Sequence, residues 1–218
     1  MKKRKRYIIF ALLTLLLGCG PYIWFKTPQP KGFDNLNAFP ENLMGKYISV
    51  KDTNTISIEK NAIIREYREK LVMTKWEYKE EVGDAISEDT SFMFTDKLHV
   101  RIKSAGDSVK IFSSKDEDLF HISNRQVLRK YKGYYFLNFK DTNDYWKVKI
   151  LRLVGDTLEF DFILTEEDMQ KIKGMTRIEV RTDSIEDASK YYLDPSKREL
   201  RRILKRRTQG EKYVKSKL

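Results

Sequence analysis

From Asn42 onwards the apolar residues fall on alternate positions, with polar residues between them and turn-forming residues closing each run. Alternation with a period of two sends successive side chains to opposite faces, so the pattern predicts half-buried strands rather than helices. Ile56 and Ile58 alternate, Phe92 and Phe94 flank Met93, and Leu98, Val100 and Ile102 follow the same rule. Two longer runs repeat. Residues 99–113, HVRIKSAGDSVKIFS, align with residues 147–162, KVKILRLVGDTLEFDF, at an offset of forty-nine through Gly106-Asp107 and Gly155-Asp156. Glycine in the first place of a two-residue loop suits a type II′ hairpin turn. A third copy, Gly83-Asp84, follows KWEYKEEV. Repeated hairpins in chain order predict a mainly β fold: an antiparallel meander or an up-and-down barrel-like sheet, with a short helix and a C-terminal basic amphipathic helix.

The short helix is expected in TEEDMQKI, where Thr165 precedes Asp168 by three residues, a short acidic version of the capping box. The C-terminal helix is expected over residues 197–207, opened by Ser196 with Glu199. Leu200, Ile203 and Leu204 fall on one face there, and a looser end follows Gly210. Residues 62–78, AIIREYREKLVMTKWEY, fit two periods. Ile63, Tyr67 and Leu71 suit a helix, while Ile64, Tyr67, Val72 and the β-formers around Trp76 suit strands, and the strand is the preferred reading.

The N-terminal region follows neither period. Residues 2–6 are KKRKR, residues 7–17 are apolar except for Thr14, and Gly18 precedes Cys19. A charged end, an apolar core within about 7–15 residues and a small residue at a cleavage point form the layout of an export signal. Cleavage between Gly18 and Cys19 is expected. The alternative is a single-pass signal anchor, because residues 7–25 number nineteen against the roughly 20 that a spanning helix needs. Pro21 after two glycines opposes a continuous helix, and the aromatic YIWF at residues 22–25 favours an interface. Both readings put the body outside the cytoplasm.

The domain expectation follows: residues 1–18 a signal peptide, 19–40 the cysteine and a tether, 41–195 a β-rich domain, and 196–218 a basic C-terminal helix and tail. The tether reading rests on Pro28, Pro30, Pro40 and Gly32. Charge sharpens this division. The formal net charge is +11, of which residues 2–6 carry +5 and residues 196–218 carry +8, leaving −2 over the rest. The body is close to neutral, and nucleic acid is not an expected partner. Cys19 is the single cysteine, so no internal disulfide is possible.

Candidate chemistry is sparse. His99 and His121 are the two histidines, and neither sits in a metal-ligand or general-base spacing; His99 is expected to face solvent. No nucleophile elbow or phosphate loop occurs, so no metal, no cofactor and no catalytic residue is expected. The acidic groups in KDEDLF, residues 115–120, suggest a solvated loop, and those in TEEDM, residues 165–169, a helix start. RKYKGYYFLNF and DYWKV hold the densest aromatic stretch, and Tyr134, Tyr135 and Trp146 are candidate pocket aromatics for an apolar or sugar-like ligand. The competing reading is a core strand with large side chains. The cationic tail has two readings as well: the helix lies against anionic headgroups, or its apolar residues dock on the sheet and its charges are solvated.

LLGC at residues 16–19 resembles the lipobox of bacterial lipoprotein precursors. That resemblance implies a diacylated Cys19 sulfur, a mature chain beginning at Cys19, and N-acylation. LMGKYIS resembles the Gly-x-Trp opening of lipocalin-like barrels, with Tyr47 in the place of Trp. LRKYKGYYFLN, GDTLEF and YYLDPSKRELRRIL, taken with the lipobox, resemble small lipoproteins of Bacteroidetes, which implies a Gram-negative outer membrane but no activity. The expected role is a lipid-anchored binding or interaction module of the envelope, with a small ligand or an envelope protein as partner. The alternatives are an envelope-acting enzyme and a structural subunit of an envelope assembly.

Overall fold

The computed structural model describes residues 23–52, 54–83, 89–95, 98–183 and 188–216. Gly18, Cys19, the signal-like segment and Asp84 lie outside the described residues. In chain order the strands are β1 (Ile23–Phe25), β2 (Gly45–Ser49), β3 (Thr55–Ile58), β4 (Ala62–Thr74), β5 (Ser91–Thr95), β6 (Leu98–Ala105) and β7 (Ser108–His121). They continue as β8 (Gln126–Tyr131), β9 (Tyr134–Lys140), β10 (Trp146–Val154), β11 (Thr157–Phe162), β12 (Ile178–Asp183), β13 (Ala188–Leu193) and β14 (Glu211–Lys215). The helices are α1 (Lys75–Val82), α2 (Glu166–Ile172) and α3 (Lys197–Arg206). The chain forms two compact units. The larger is Pro21–Arg65 with Asp118–Leu218, and the smaller includes Glu66–Glu117.

The larger unit is a sheet in the order β12-β13-β1-β10-β11-β14-β2-β3, with β9 and then β8 on the other edge of β10. β1 runs parallel to β13 and antiparallel to β10; the β10–β11, β8–β9 and β2–β3 pairs are antiparallel hairpins. β12 pairs with β13 alone among the described residues, so the sheet is open rather than a closed barrel. β8 to β11 run as an antiparallel meander, but the whole is a mixed sheet with crossovers and a parallel β1–β13 pair, not the expected antiparallel meander.

The central strands are buried on both faces. Phe136, Trp146, Val148 and Ile150 join Leu200, Ile203 and Leu204 of α3 and Met169 and Ile172 of α2 in one apolar cluster. Tyr135, Leu137, Leu151, Leu158 and Phe160 point the other way, into a cluster with Phe39, Tyr47 and Phe120. Strand periodicity alone produces this division, since adjacent residues face opposite sides.

Both expected hairpins form. Val154 pairs with Thr157 and Ala105 with Ser108, and Gly155 and Gly106 each take φ of +60°. Asp156 and Asp107 are not among the positive-φ residues, which is the type II′ pattern. Gly83 departs from the repeat, because it caps α1 instead of turning a hairpin.

The strand reading of residues 62–78 holds up to Thr74 and fails after it. Thr74 Oγ1 accepts from the Glu77 backbone N–H, and Glu77 accepts from the Thr74 N–H at 2.8 Å, so a capping box starts α1 in the middle of the β-forming run. The acidic residues 116–118 are exposed strand positions of β7 rather than a loop.

Two appendages turn out to be structural. Residues 23–40 are not a tether: Ile23, Phe25 and Phe39 are buried, and Asn138 binds the Gln29 backbone on both sides, accepting from its N–H at 2.6 Å and donating to its carbonyl at 2.8 Å. Arg129 Nη1 donates to the carbonyls of Pro28 and Pro30 at 2.7 and 2.9 Å. Proline has no N–H to give a sheet, but its carbonyl still accepts, and this guanidinium uses two of them.

The C-terminal helix spans Lys197–Arg206 with Leu200, Ile203 and Leu204 buried, as its pattern predicts. The segment after Gly210 is β14, held between β11 and β2 with Tyr213 inside, in place of the looser end. Two strand edges with unpaired N–H and C=O groups supply what its charged sequence does not advertise.

Candidate functional site

The candidate pocket aromatics do not meet. Tyr134 and Tyr135 are adjacent on β9 and so face opposite sides of the sheet. Trp146 belongs to the same apolar cluster as the helices, with Lys140 Nζ 5.9 Å from its ring. Tyr134 lies half-buried beside two guanidiniums. Arg152 donates to its hydroxyl at 3.2 Å and stands 5.0 Å from the ring, while Arg207 lies at 5.8 Å and pairs with Glu159 at 3.7 Å.

Tyr135 alone opens onto a concavity. Its lining is Asn42, Leu43, Lys130, Gly133, Tyr135, Leu153 and Gly155, enclosing about 360 Å³. Ligand sites are usually about 300–1,000 Å³, so this one suits a small group. Local chemistry builds it. The β8–β9 hairpin turns on Lys132 and Gly133, with φ of 52° and 81°, the two positive values of a type I′ turn. That register sets Lys130 directly opposite Tyr135, and Nζ sits 4.9 Å from the ring centroid, within cation–π range.

Gly155 brings in the second hairpin turn, and the 3-10 turn Glu41–Leu43 closes the remaining side. Tyr47 fixes that turn by donating to the Leu43 carbonyl at 2.8 Å, and Lys215 Nζ donates to the Asn42 carbonyl at 3.3 Å. Burial, and behind it the negative charge of Asp156, pushes the Tyr47 phenol above its ordinary range, so it remains a donor.

The lining therefore offers one cation, one aromatic face, two leucines and two glycine turns. Among the described residues it contains no carboxylate, imidazole or thiol. Such a surface can hold a small apolar or ring-bearing group with an acceptor near Lys130.

The histidines stay apart from it and from each other. His99 is exposed on β6, as its alternation predicts, and His121 is exposed at the end of β7. Among the described residues no three His, Cys, Asp or Glu side chains converge as metal ligands, and no helix is long and apolar enough to cross a membrane.

Sequence reasoning missed Asn42, Leu43, Lys130, Gly133, Leu153 and Gly155 as lining residues. The signal was present, because a Lys-Gly turn fixes a register in which residues 130 and 135 face each other.

The most perturbed buried acid lies elsewhere. Burial raises the Asp168 carboxyl, but hydrogen bonds from Thr208, Thr165 and Lys171 outweigh it and leave the pKa at about 2. Thr208 donates through N and Oγ1 at 2.9 and 2.7 Å, and Lys171 Nζ donates at 3.0 Å. These contacts tie the start of α2 to the segment after α3. Asp168 is a structural clasp. Comparison with known proteins returns no match to a family model, to a curated protein or to a solved structure.

Proposed function

We propose that this chain is a lipid-anchored envelope protein that acts as a binding or interaction module rather than as an enzyme. Residues 1–18 direct export, Cys19 carries the lipid, and the outer membrane of a Gram-negative cell is the destination that the resemblance implies. The observation that carries the reading is the order of KKRKR, an apolar run and LLGC at residues 2–19, with Cys19 the single cysteine.

The concavity at Tyr135 and Lys130 is the candidate binding surface for a small ligand. Its aromatic face and the Lys130 ammonium beside it suit the holding of a small ring-bearing group. Anchoring through Cys19 also has a geometric consequence. Ile23, four residues later, is already packed in the body, and four extended residues reach at most about 14 Å. An anchored body is therefore held against the bilayer.

The test is Cys19→Ala, with fatty-acid labelling and the size of the product as readouts. The variant takes no label and keeps residues 1–18, running as a larger precursor. Unchanged size, labelling and membrane association would mean a signal anchor instead.

A further inference from the structure

α3 has two opposite faces, and the structure uses only one. Leu200, Ile203 and Leu204 are buried in the apolar cluster that also holds β1. Arg198, Arg201, Arg202, Lys205 and Arg206 are all exposed. At about 100° per residue those five side chains fall within an arc of about 140° centred opposite the buried three. None of the five forms a side-chain hydrogen bond or ion pair among the described residues. The helix's own Glu199 is occupied at the N-terminus, where it accepts from Ser196 N–H at 2.7 Å.

This arrangement works against the helix itself. Arg198 with Arg202, Arg201 with Lys205, and Arg202 with Arg206 are like charges at i, i+4, each destabilising in isolation. An opposing negative surface relieves all three together. The buried leucines remove the usual alternative, in which such a helix inserts its apolar side into lipid.

We propose that the outer face of α3 docks on an anionic membrane surface, by charge alone, while Cys19 holds the chain there. The choice of a lipid surface over another polyanion rests on the anchored reading. Ile23, at most about 14 Å from the anchor, shares its apolar cluster with Leu200, Ile203 and Leu204, so α3 packs on the part of the body tethered nearest the headgroups. Their field acts over a screening length of about 8 Å at physiological salt.

The test uses the full acylated chain in vesicles of phosphatidylcholine, with and without phosphatidylglycerol. An arginine-directed dicarbonyl reagent reads the exposure of Arg198, Arg202 and Arg206 by peptide mass spectrometry. Modification slows at least several-fold on the anionic vesicles, and the protection disappears at about 1 M salt, where the screening length is about 3 Å. Each cation near an anionic leaflet is worth roughly fivefold in binding. The triple variant Arg201→Gln, Arg202→Gln, Lys205→Gln therefore weakens the docking equilibrium by on the order of a hundredfold and abolishes the protection at Arg198 and Arg206. Circular dichroism checks that the variant is folded, and if it is not, the lipid and salt dependence of the wild type decides the matter.

Equal modification on neutral and anionic vesicles overturns the docking. Protection by a single-stranded oligonucleotide without protection by anionic vesicles overturns it in favour of nucleic acid. A chain that leaves the neutral vesicles defeats the anchor alone, and protection on the anionic ones still decides the docking.

Discussion

The β6–β7 and β10–β11 hairpins share a turn and an alternation, yet they have different fates. At the forty-nine-residue offset, Ile102 matches Leu151, Val109 matches Leu158, and Ile111 matches Phe160. Among the described residues of the smaller unit, Ile102 and Val109 join Tyr78 in the buried cluster, with Met73, Val100 and Ile111 packed at its margin. In the larger unit Leu151, Leu158 and Phe160 join a cluster of fifteen buried residues, and the other face of β10 is sealed by helices. Local turn chemistry makes a hairpin; what covers it determines how much it stabilises. The smaller unit also leaves Trp76 70% exposed, and Leu71, Val72 and Met93 are more exposed than buried.

Substitutions at matched positions break or sharpen this comparison. Leu151→Ala should cost toward 5 kcal/mol and Ile102→Ala nearer 2, the two ends of the range of about 2–5 kcal/mol for such core truncations. Hydrogen exchange by segment reads both, and equal losses would mean that the smaller cluster is as well supported as the larger.

Asp168 supplies the next largest effect. Its folded pKa of about 2 lies below the ordinary 3.8, so its contribution is present above about pH 4 and is lost as pH falls through about 2. At about 1.4 kcal/mol per pKa unit the contribution is roughly 2 kcal/mol. Asp168→Asn should cost about that much at neutral pH and flatten the acid limb of stability in the larger unit. An unchanged acid limb would contradict the clasp.

The smallest effect is expected to be equal in the two hairpins. Gly106→Ala and Gly155→Ala both force a side chain onto φ of +60°, and an added Cβ meets nothing within 4 Å at either site. Each should cost about 1–2 kcal/mol from the backbone alone. Thermal melts that separate the two variants strongly would show that the turns are not equivalent.

What the sequence made legible was local. The hairpins followed from Gly-Asp between alternating runs, and α3 followed from Ser196, Glu199 and three apolar positions on one face. β1 and β14 were not legible, because each is short and gains its place from neighbours distant in the chain: Ile23 pairs with Tyr191, and Tyr213 with Ser49. α1 was hidden for a different reason. The β-branched and aromatic residues around Trp76 outweighed the Thr74–Glu77 box, and the box decided the structure. At the concavity the aromatic count pointed to the correct hairpin but grouped Tyr134 with Tyr135, whereas strand periodicity separates them.

The central claim is that Cys19 holds this folded body close against a membrane. Intact-mass and peptide mass spectrometry of the N-terminus of the chain purified from membranes tests it most directly. The account predicts a mature chain that begins at Cys19 and carries two or three fatty-acyl groups, with Ile23 four residues behind the lipid. An unmodified Cys19, still preceded by residues 1–18, would contradict it.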